Sequence, residues 1–462
     1  MRAQEVKRRP SNLNPCASSE GRALPTWRLI GCVFLPFVVG YYLSYLFRTI
    51  NTLISGQLSA DLGLDAANLG LLTSVYFLVF AGAQIPIGTL LDRFGPRRVQ
   101  SALLLVAGGG AALFGAASDF KALLVARAMI GIGVSAAAMA GLKAIVTWFP
   151  RERVALANGY MIMLGALGAV TATTPTQWLL AYTGWRGLFE LLALATFAAA
   201  LLIFWAVPEA ARPQATQPTG VKLSAIYRDR GFWRIAPLSA SCIGSAWSLQ
   251  ALWAASWLTN VEGFDRESSI TQLFIMALGI SAGALLLGTL ADRLRRRGIG
   301  SEVLFAAVTM LFVAAEVALI LRLPLPSLLP WLVISIVGAA TVLSYAILAE
   351  NFPRELTGRA NAGLNVLHFG WCFIVQYGTG LILDQWSVQD GHYPIIAYQV
   401  AFASAVGAQI LALGWFAIPW LGRLGRRVAK FFLRDHATNT DPAEVSVTSA
   451  ETGVLEPEDE EW

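Results

Sequence analysis

The feature that most constrains this chain is a repeated run of about 20 or more residues carrying almost no charge. Such runs fall at 27–53, 68–91, 99–118, 122–148, 154–181, 187–207, 234–260, 269–291, 302–321, 328–349, 359–383 and 394–420. About 20 apolar residues is the length a helix needs to cross the hydrocarbon of a bilayer. Inside lipid, only helices and closed barrels satisfy every backbone N–H and C=O. These runs are continuous and lack the period-2 alternation of barrel strands, which selects helices. A soluble chain carries about a quarter charged residues; here 14% are charged and 56% are hydrophobic. The sequence therefore predicts an all-α membrane protein with twelve transmembrane helices.

The placement of Lys and Arg orients them. Of 34 such residues, only Lys121, Arg186, Arg266 and Arg322 fall in one set of alternate loops, and only Arg48, Arg127 and Lys143 fall inside spans. All the others lie in the N-terminus, the opposite loops and the C-terminal tail. Basic loops stay on the cytoplasmic side. Both termini are thus expected in the cytoplasm, with the protein multi-pass in the inner membrane of a bacterial cell. The net charge of +5 is a consequence of this topology and calls for no nucleic-acid partner. The bilayer is the one large partner required, and the chain is expected to work as a monomer.

The chain divides into a cytoplasmic N-terminus (1–26), a first six-helix bundle (27–207), a polar linker (208–233), a second six-helix bundle (234–420) and a tail (421–462). The linker carries Pro208, Pro213 and Pro218, and the tail has no Lys or Arg after Arg434 and ends in a run of acids. Two motifs repeat between the bundles. Gly88-Thr-Leu-Leu-Asp92-Arg93 recurs 200 residues later as Gly288-Thr-Leu-Ala-Asp292-Arg293. Phe149-Pro-Arg-Glu152 recurs 203 residues later as Phe352-Pro-Arg-Glu355, and each copy leads to an Ala-Asn pair, Ala157-Asn158 and Ala360-Asn361. Two like halves in the same orientation are what a pseudo-two-fold transporter requires.

The stretch GTLLDRFGPRR at 88–98 resembles the signature loop of the major facilitator superfamily, and the likeness covers essentially the whole chain. It implies two pseudo-symmetric six-helix bundles and alternating access. Gly88, Asp92, Arg93, Arg97 and, in the second copy, Asp292 and Arg293 are then expected to form a conformational latch on the cytoplasmic side, with Gly88 admitting a close helix. Arg127 begins Arg-x-x-x-Gly131-x-Gly133 in the fourth span, which resembles a second motif of that superfamily.

Arg48 is the most informative single residue, because it lies well inside the first span in Tyr45-Leu-Phe-Arg48-Thr-Ile-Asn51. A cation in hydrocarbon is costly, so it must face a cavity or a partner. The segment around it resembles the start of the anion:cation symporter branch, where the matching arginine helps bind a carboxylate. This chain departs from that branch at Phe47 and Val134, where the branch usually has Asp and Glu. Arg48, Arg127 and Lys143 are three intramembrane cations with few matching acids. A guanidinium needs a counter-charge, and a bidentate carboxylate fits it. Arg48, Asn51 and Arg127 are accordingly candidate substrate ligands.

The second half offers softer groups. Gln250, Asn365 and Gln376 are candidates to orient a substrate by hydrogen bonds, and Trp253, with Trp247 and Trp257 at helical spacing, to form its apolar wall. His368 is the only histidine inside a span, so it is the candidate proton carrier. Glu190 and Glu316 read as structural acids, Glu190 as a helical pair with Arg186. No catalytic constellation, metal spacing, cofactor motif or Walker loop is legible. The expected function is secondary active, proton-coupled uptake of a small organic anion. Uptake of amino acids or short peptides, and solute reception without net transport, are the alternatives.

Overall fold

The computed structural model describes residues 25–209, 226–388 and 392–438. Nearly all of the N-terminal segment 1–26, most of the 208–233 linker and the acidic end of the 421–462 tail lie outside them. Every element described is helical. Large apolar side chains point outward along these helices: Leu194 is 67% exposed and Leu285 62%. Apolar surface on that scale belongs in lipid. Among the described residues nine helices are long and apolar enough to cross a bilayer.

That count is consistent with twelve crossings. Ala66–Ala116 is 51 residues long, roughly 75 Å at the helical rise, more than two hydrocarbon thicknesses. It folds back at Gly95, whose φ of 79° interrupts the helix. A left-handed φ is open to glycine and costly for other residues, and Pro96, without an N–H, starts the next segment. The fifth crossing appears as the shorter Arg151–Thr171. The seventh is assembled from Arg230–Ser248, a π-helical turn at Leu249–Trp253, and Ala254–Asn260.

The two halves repeat in backbone as well as in sequence. Gly63 and Gly263, 200 residues apart, both take positive φ, 63° and 73°. Asp65 and Asp265 follow each and cap the next helix, accepting from Asn68 N at 2.6 Å and Glu267 N at 3.2 Å. An aspartate there satisfies an orphan N–H and faces the positive end of the helix. The fourth and tenth spans break at equivalent places, between Val134 and Ala137 and between Gly338 and Thr341. Phe149 and Phe352 end them in the same extended conformation. The repeated motifs therefore mark equivalent corners of two like bundles.

Residues up to Leu413 form one compact unit, in which the halves pack together; a second begins at Gly414, within the helix Ile395–Thr438. The halves meet along a seam at the end of the bundle away from the basic loops. Ala66 N donates to Tyr393 Oη at 3.2 Å, Ala67 N to Asp384 Oδ2 at 3.1 Å, and Tyr393 Oη to Asp384 Oδ1 at 2.6 Å. The Asp384 carboxylate thus seats the N-terminal end of the second span. Burial, with that hydrogen bond second, pushes the Tyr393 phenol up to about 12, so it stays a donor at neutral pH. The seam continues through Thr52 Oγ1, which donates to the Gln250 carbonyl at 3.0 Å, as far as Phe80 and Phe369, whose rings lie 4.3 Å apart.

Candidate functional site

The first span builds the site. Tyr41, Tyr45 and Arg48 recur at i, i+4 and i+7, so they share one face, and that face looks across to the other half. The Arg48 guanidinium carbon lies 4.7 Å from the Tyr45 ring centre, 5.0 Å from Trp247 and 5.4 Å from Phe369. Trp247 and Phe369 belong to the seventh and eleventh spans, so both halves enclose the cation. Tyr41, Tyr76, Tyr345 and the Cys372 thiol also lie within electrostatic reach of it. Among the described residues, no acid pairs with Arg48, and its buried Nε has no hydrogen-bond partner. Each cation–π contact supplies about 0.5–2 kcal/mol, and the Tyr76 hydroxyl takes one hydrogen bond from the guanidinium.

His368 lies on the far side of Trp247, ring centres 5.7 Å apart, and 6.4 Å from Tyr345. It is fully buried, with Nε2 2.8 Å from Ser239 Oγ, while Nδ1 has no partner among the described residues. Asn365 accepts from Tyr345 Oη at 3.2 Å, which places it at the same cage.

The other candidates are not brought there. Arg127 is completely buried in the core of the first half, where Nη1 donates to the Phe47 carbonyl at 3.1 Å and its guanidinium lies 5.5 Å from the Tyr76 ring. That carbonyl belongs to the turn where the first span breaks at Ile50, so Arg127 caps a helix fault. Arg127→Ala is expected to leave the Phe47 carbonyl without its donor, at a cost to stability of about 1–3 kcal/mol, and to leave solute affinity of the folded fraction within about twofold. A combined thermal melt and binding titration checks this; affinity lost with stability intact would return Arg127 to the ligand set. Asn51 donates to Thr73 Oγ1 at 3.0 Å within the same core. Trp253 donates its indole N–H to the Gln376 carbonyl, and the Gln376 amide pairs with Ser248 Oγ at 2.9 Å. These two belong to the seam. Gln250 lines, with Thr49, Thr52, Ala169 and Met276, a cleft of about 30 Å³ between the halves, room for a few waters.

The expected latch is only partly assembled. Asp92 accepts from Lys143 Nζ at 2.5 Å, and Lys143 also donates to the Leu91 carbonyl; the third intramembrane cation is thereby paired. Arg97 Nε donates to the Phe204 carbonyl at 2.8 Å, and Arg98 pairs with Glu209. Each partner named here lies in the first half or at the start of the linker. Arg93 covers the ring of its neighbour Phe94, and Asp292 pairs with Arg295 within one turn, not with Arg293. A Cβ on Gly88 would meet nothing within 4 Å, so close helix approach is not what the glycine provides in this conformation. The Arg186–Glu190 pair is likewise replaced: Arg186 Nη1 donates to Asp61 Oδ2 at 3.2 Å, beside Trp185 Nε1 on the same oxygen.

Residues 37–375 match the family model of the Major Facilitator Superfamily. The chain belongs to the major facilitator superfamily. It is similar over 276 residues, at 26% identity, to a protein of Cupriavidus necator named Probable sulfoacetate transporter, covering 56% of this chain and 64% of that one. Over 292 residues it is 26% identical to a hexuronate transporter of Escherichia coli K12, covering 58% and 66%. The chain thus spans less than two thirds of the length of either relative. In structure it resembles an inward-facing bacterial homologue of the human lysosomal transporter Spinster, with a TM-score of 0.70 at 18% identity over 86% of this chain and 97% of that one. Superfamily membership agrees with the multi-pass membrane architecture of the described helices. Phe369, Tyr345, Tyr41 and Tyr76 escaped the sequence reading. The i, i+4, i+7 face of Tyr41, Tyr45 and Arg48 was the legible signal for the first-span part of the cage.

Proposed function

We propose that this superfamily member carries a small organic carboxylate across the inner membrane by alternating access, with Arg48 as its anion ligand and a proton as its co-substrate. The observation that carries the reading is a guanidinium held between both halves, inside the bilayer, with no acid opposite it among the described residues. A free guanidinium in a low-dielectric site attracts a bidentate carboxylate strongly. Relatives named for sulfoacetate and hexuronate transport support an anionic solute. The two ends of the bundle would close in turn, and the Asp384–Tyr393 seam is the closed end in this conformation. Basic loops and both termini then face the cytoplasm, and the monomer contains the whole site.

His368 supplies the proton route. Its ring is one tryptophan away from Arg48 and faces Ser239, Trp247 and Tyr345, none of them charged. Protonation there adds a second cation beside the carboxylate site. Carboxylate and proton therefore stabilise one another, and the coupling is reciprocal.

The test is uptake of labelled carboxylates into proteoliposomes with and without an imposed pH gradient. Accumulation driven by the gradient supports the reading; uptake of zwitterionic amino acids alone would overturn it. His368→Gln is expected to flatten the dependence of uptake on the imposed pH gradient while counterflow exchange continues. An unchanged pH profile would move the proton to another group.

A further inference from the structure

We infer that the carboxylate this site selects is an aromatic one, a planar ring bearing a single carboxylate, and not a polyhydroxylated sugar acid. The inference rests on Arg48 being the anion ligand, as proposed above. Its independent basis is what surrounds that charge.

A sugar acid brings four or five hydroxyls, each of which loses water on binding and needs a partner inside the site. Of the candidate amides, only Gln250 Nε2 and Asn51 Oδ1 lack a partner among the described residues, too few for four or five hydroxyls. Gln376 is held by Ser248, with its carbonyl taken by Trp253. Asn51 Nδ2 donates to Thr73, and Thr52 donates to the main-chain carbonyl of Gln250. Asn365 and Tyr345 bond each other.

What remains around Arg48 is a continuous file of rings. Tyr41 and Tyr45 lie 5.1 Å apart centre to centre, and Tyr45 covers one side of the guanidinium. Trp247 and Phe369, 4.9 Å apart, cover others. Phe369 passes the contact on to Phe80 at 4.3 Å and to Phe77 at 6.0 Å, the latter stacked with 25° between planes. Arg48, Tyr41, Tyr45 and Trp247 are only partly buried, so their faces are reachable by a solute. A planar aromatic acid satisfies this wall: its carboxylate meets the partnerless Arg48 Nε–H in plane, and its ring stacks on Tyr45 or Trp247, which Phe369 backs. Ring pairs of this kind add about 0.5–1.5 kcal/mol beyond the area they bury.

The experiment is a binding titration on the full-length protein in detergent, with benzoate and galacturonate as probes, repeated on Phe369→Leu and on Arg48→Ala. Benzoate is expected to bind on the order of tenfold more tightly than galacturonate, and Phe369→Leu to reduce that preference to about twofold. The wild-type comparison alone decides the matter if Phe369→Leu fails to fold. Galacturonate bound as tightly as benzoate, and lost in Arg48→Ala, would overturn the aromatic preference and leave the anion reading standing. Benzoate bound equally by Arg48→Ala, or neither probe bound by the wild type, would remove both.

Discussion

Arg48→Ala is expected to abolish carboxylate uptake and to weaken carboxylate binding by about tenfold to a few hundredfold. The range follows from the charged hydrogen bonds lost, about 1.5–3 kcal/mol for a bond to an ionised group. Arg48→Lys keeps the charge but loses the planar fork, so it should fall between alanine and wild type. Stability should move differently. A cation withdrawn from water without a counter-ion costs several kcal/mol, and three cation–π contacts offset only part of that. The solute-free variant is therefore expected to melt no earlier than wild type, while the upward shift produced by saturating carboxylate disappears. An alanine variant that binds and transports normally would sink the anion site. One that melts much earlier without solute would make Arg48 a structural residue.

Gly380→Val is expected to slow uptake by at least about tenfold and to leave solute affinity within a few fold. A Cβ at Gly380 would lie 2.5 Å from the Ala66 carbonyl oxygen and 3.0 Å from the Ala67 Cα. Both are backbone atoms, so no rotamer change relieves the clash. Gly70 faces the reverse problem on the opposing helix, where a Cβ would approach the Gln376 carbonyl oxygen to 2.9 Å. Overpacking costs about 1–3 kcal/mol, which disfavours the closed seam by roughly fivefold to a hundredfold. It also separates the Ala66 and Ala67 N–H groups from Tyr393 and Asp384, the polar clasp of that end. A transporter that cannot close one end binds but does not cycle. The check is paired: initial uptake rate in proteoliposomes and dissociation constant in detergent. An unaltered rate would mean that this seam does not have to close at Gly380 during transport.

The residues differ in how far the sequence reaches them. Arg48 was legible because a charge inside an apolar run has few physical explanations. Tyr41 and Tyr45 were within reach through their shared helical face. Phe369 was not, since a phenylalanine in an apolar span carries no signal of its own; only the packing of the eleventh span against the first gives it a cation to cover. Arg127 shows the opposite error. It presents the same sequence signal as Arg48, a buried guanidinium, yet its use is to cap the break at Ile50, and that break is not written in any local motif. Lys143 and Asp92 lie on different helices, so their pairing follows from helix packing.

The sequence by itself determined the class of the molecule. Runs of bilayer length force helices because backbone groups in lipid must be satisfied within the segment, and the Lys and Arg asymmetry supplies an expected orientation. The repeats 200 and 203 residues apart announced two like halves, and Gly63, Asp65, Gly263 and Asp265 carry the same message in the positive-φ corners and helix caps they form. The tertiary structure decided which polar groups are free. Hydrogen bonding is settled by partners far apart in the chain: Gln376 with Ser248, Asn51 with Thr73, Thr52 with Gln250. Among the described residues those pairings leave Arg48 between the halves without an acid opposite it and with its Nε unpartnered, because rings cover the faces of the guanidinium.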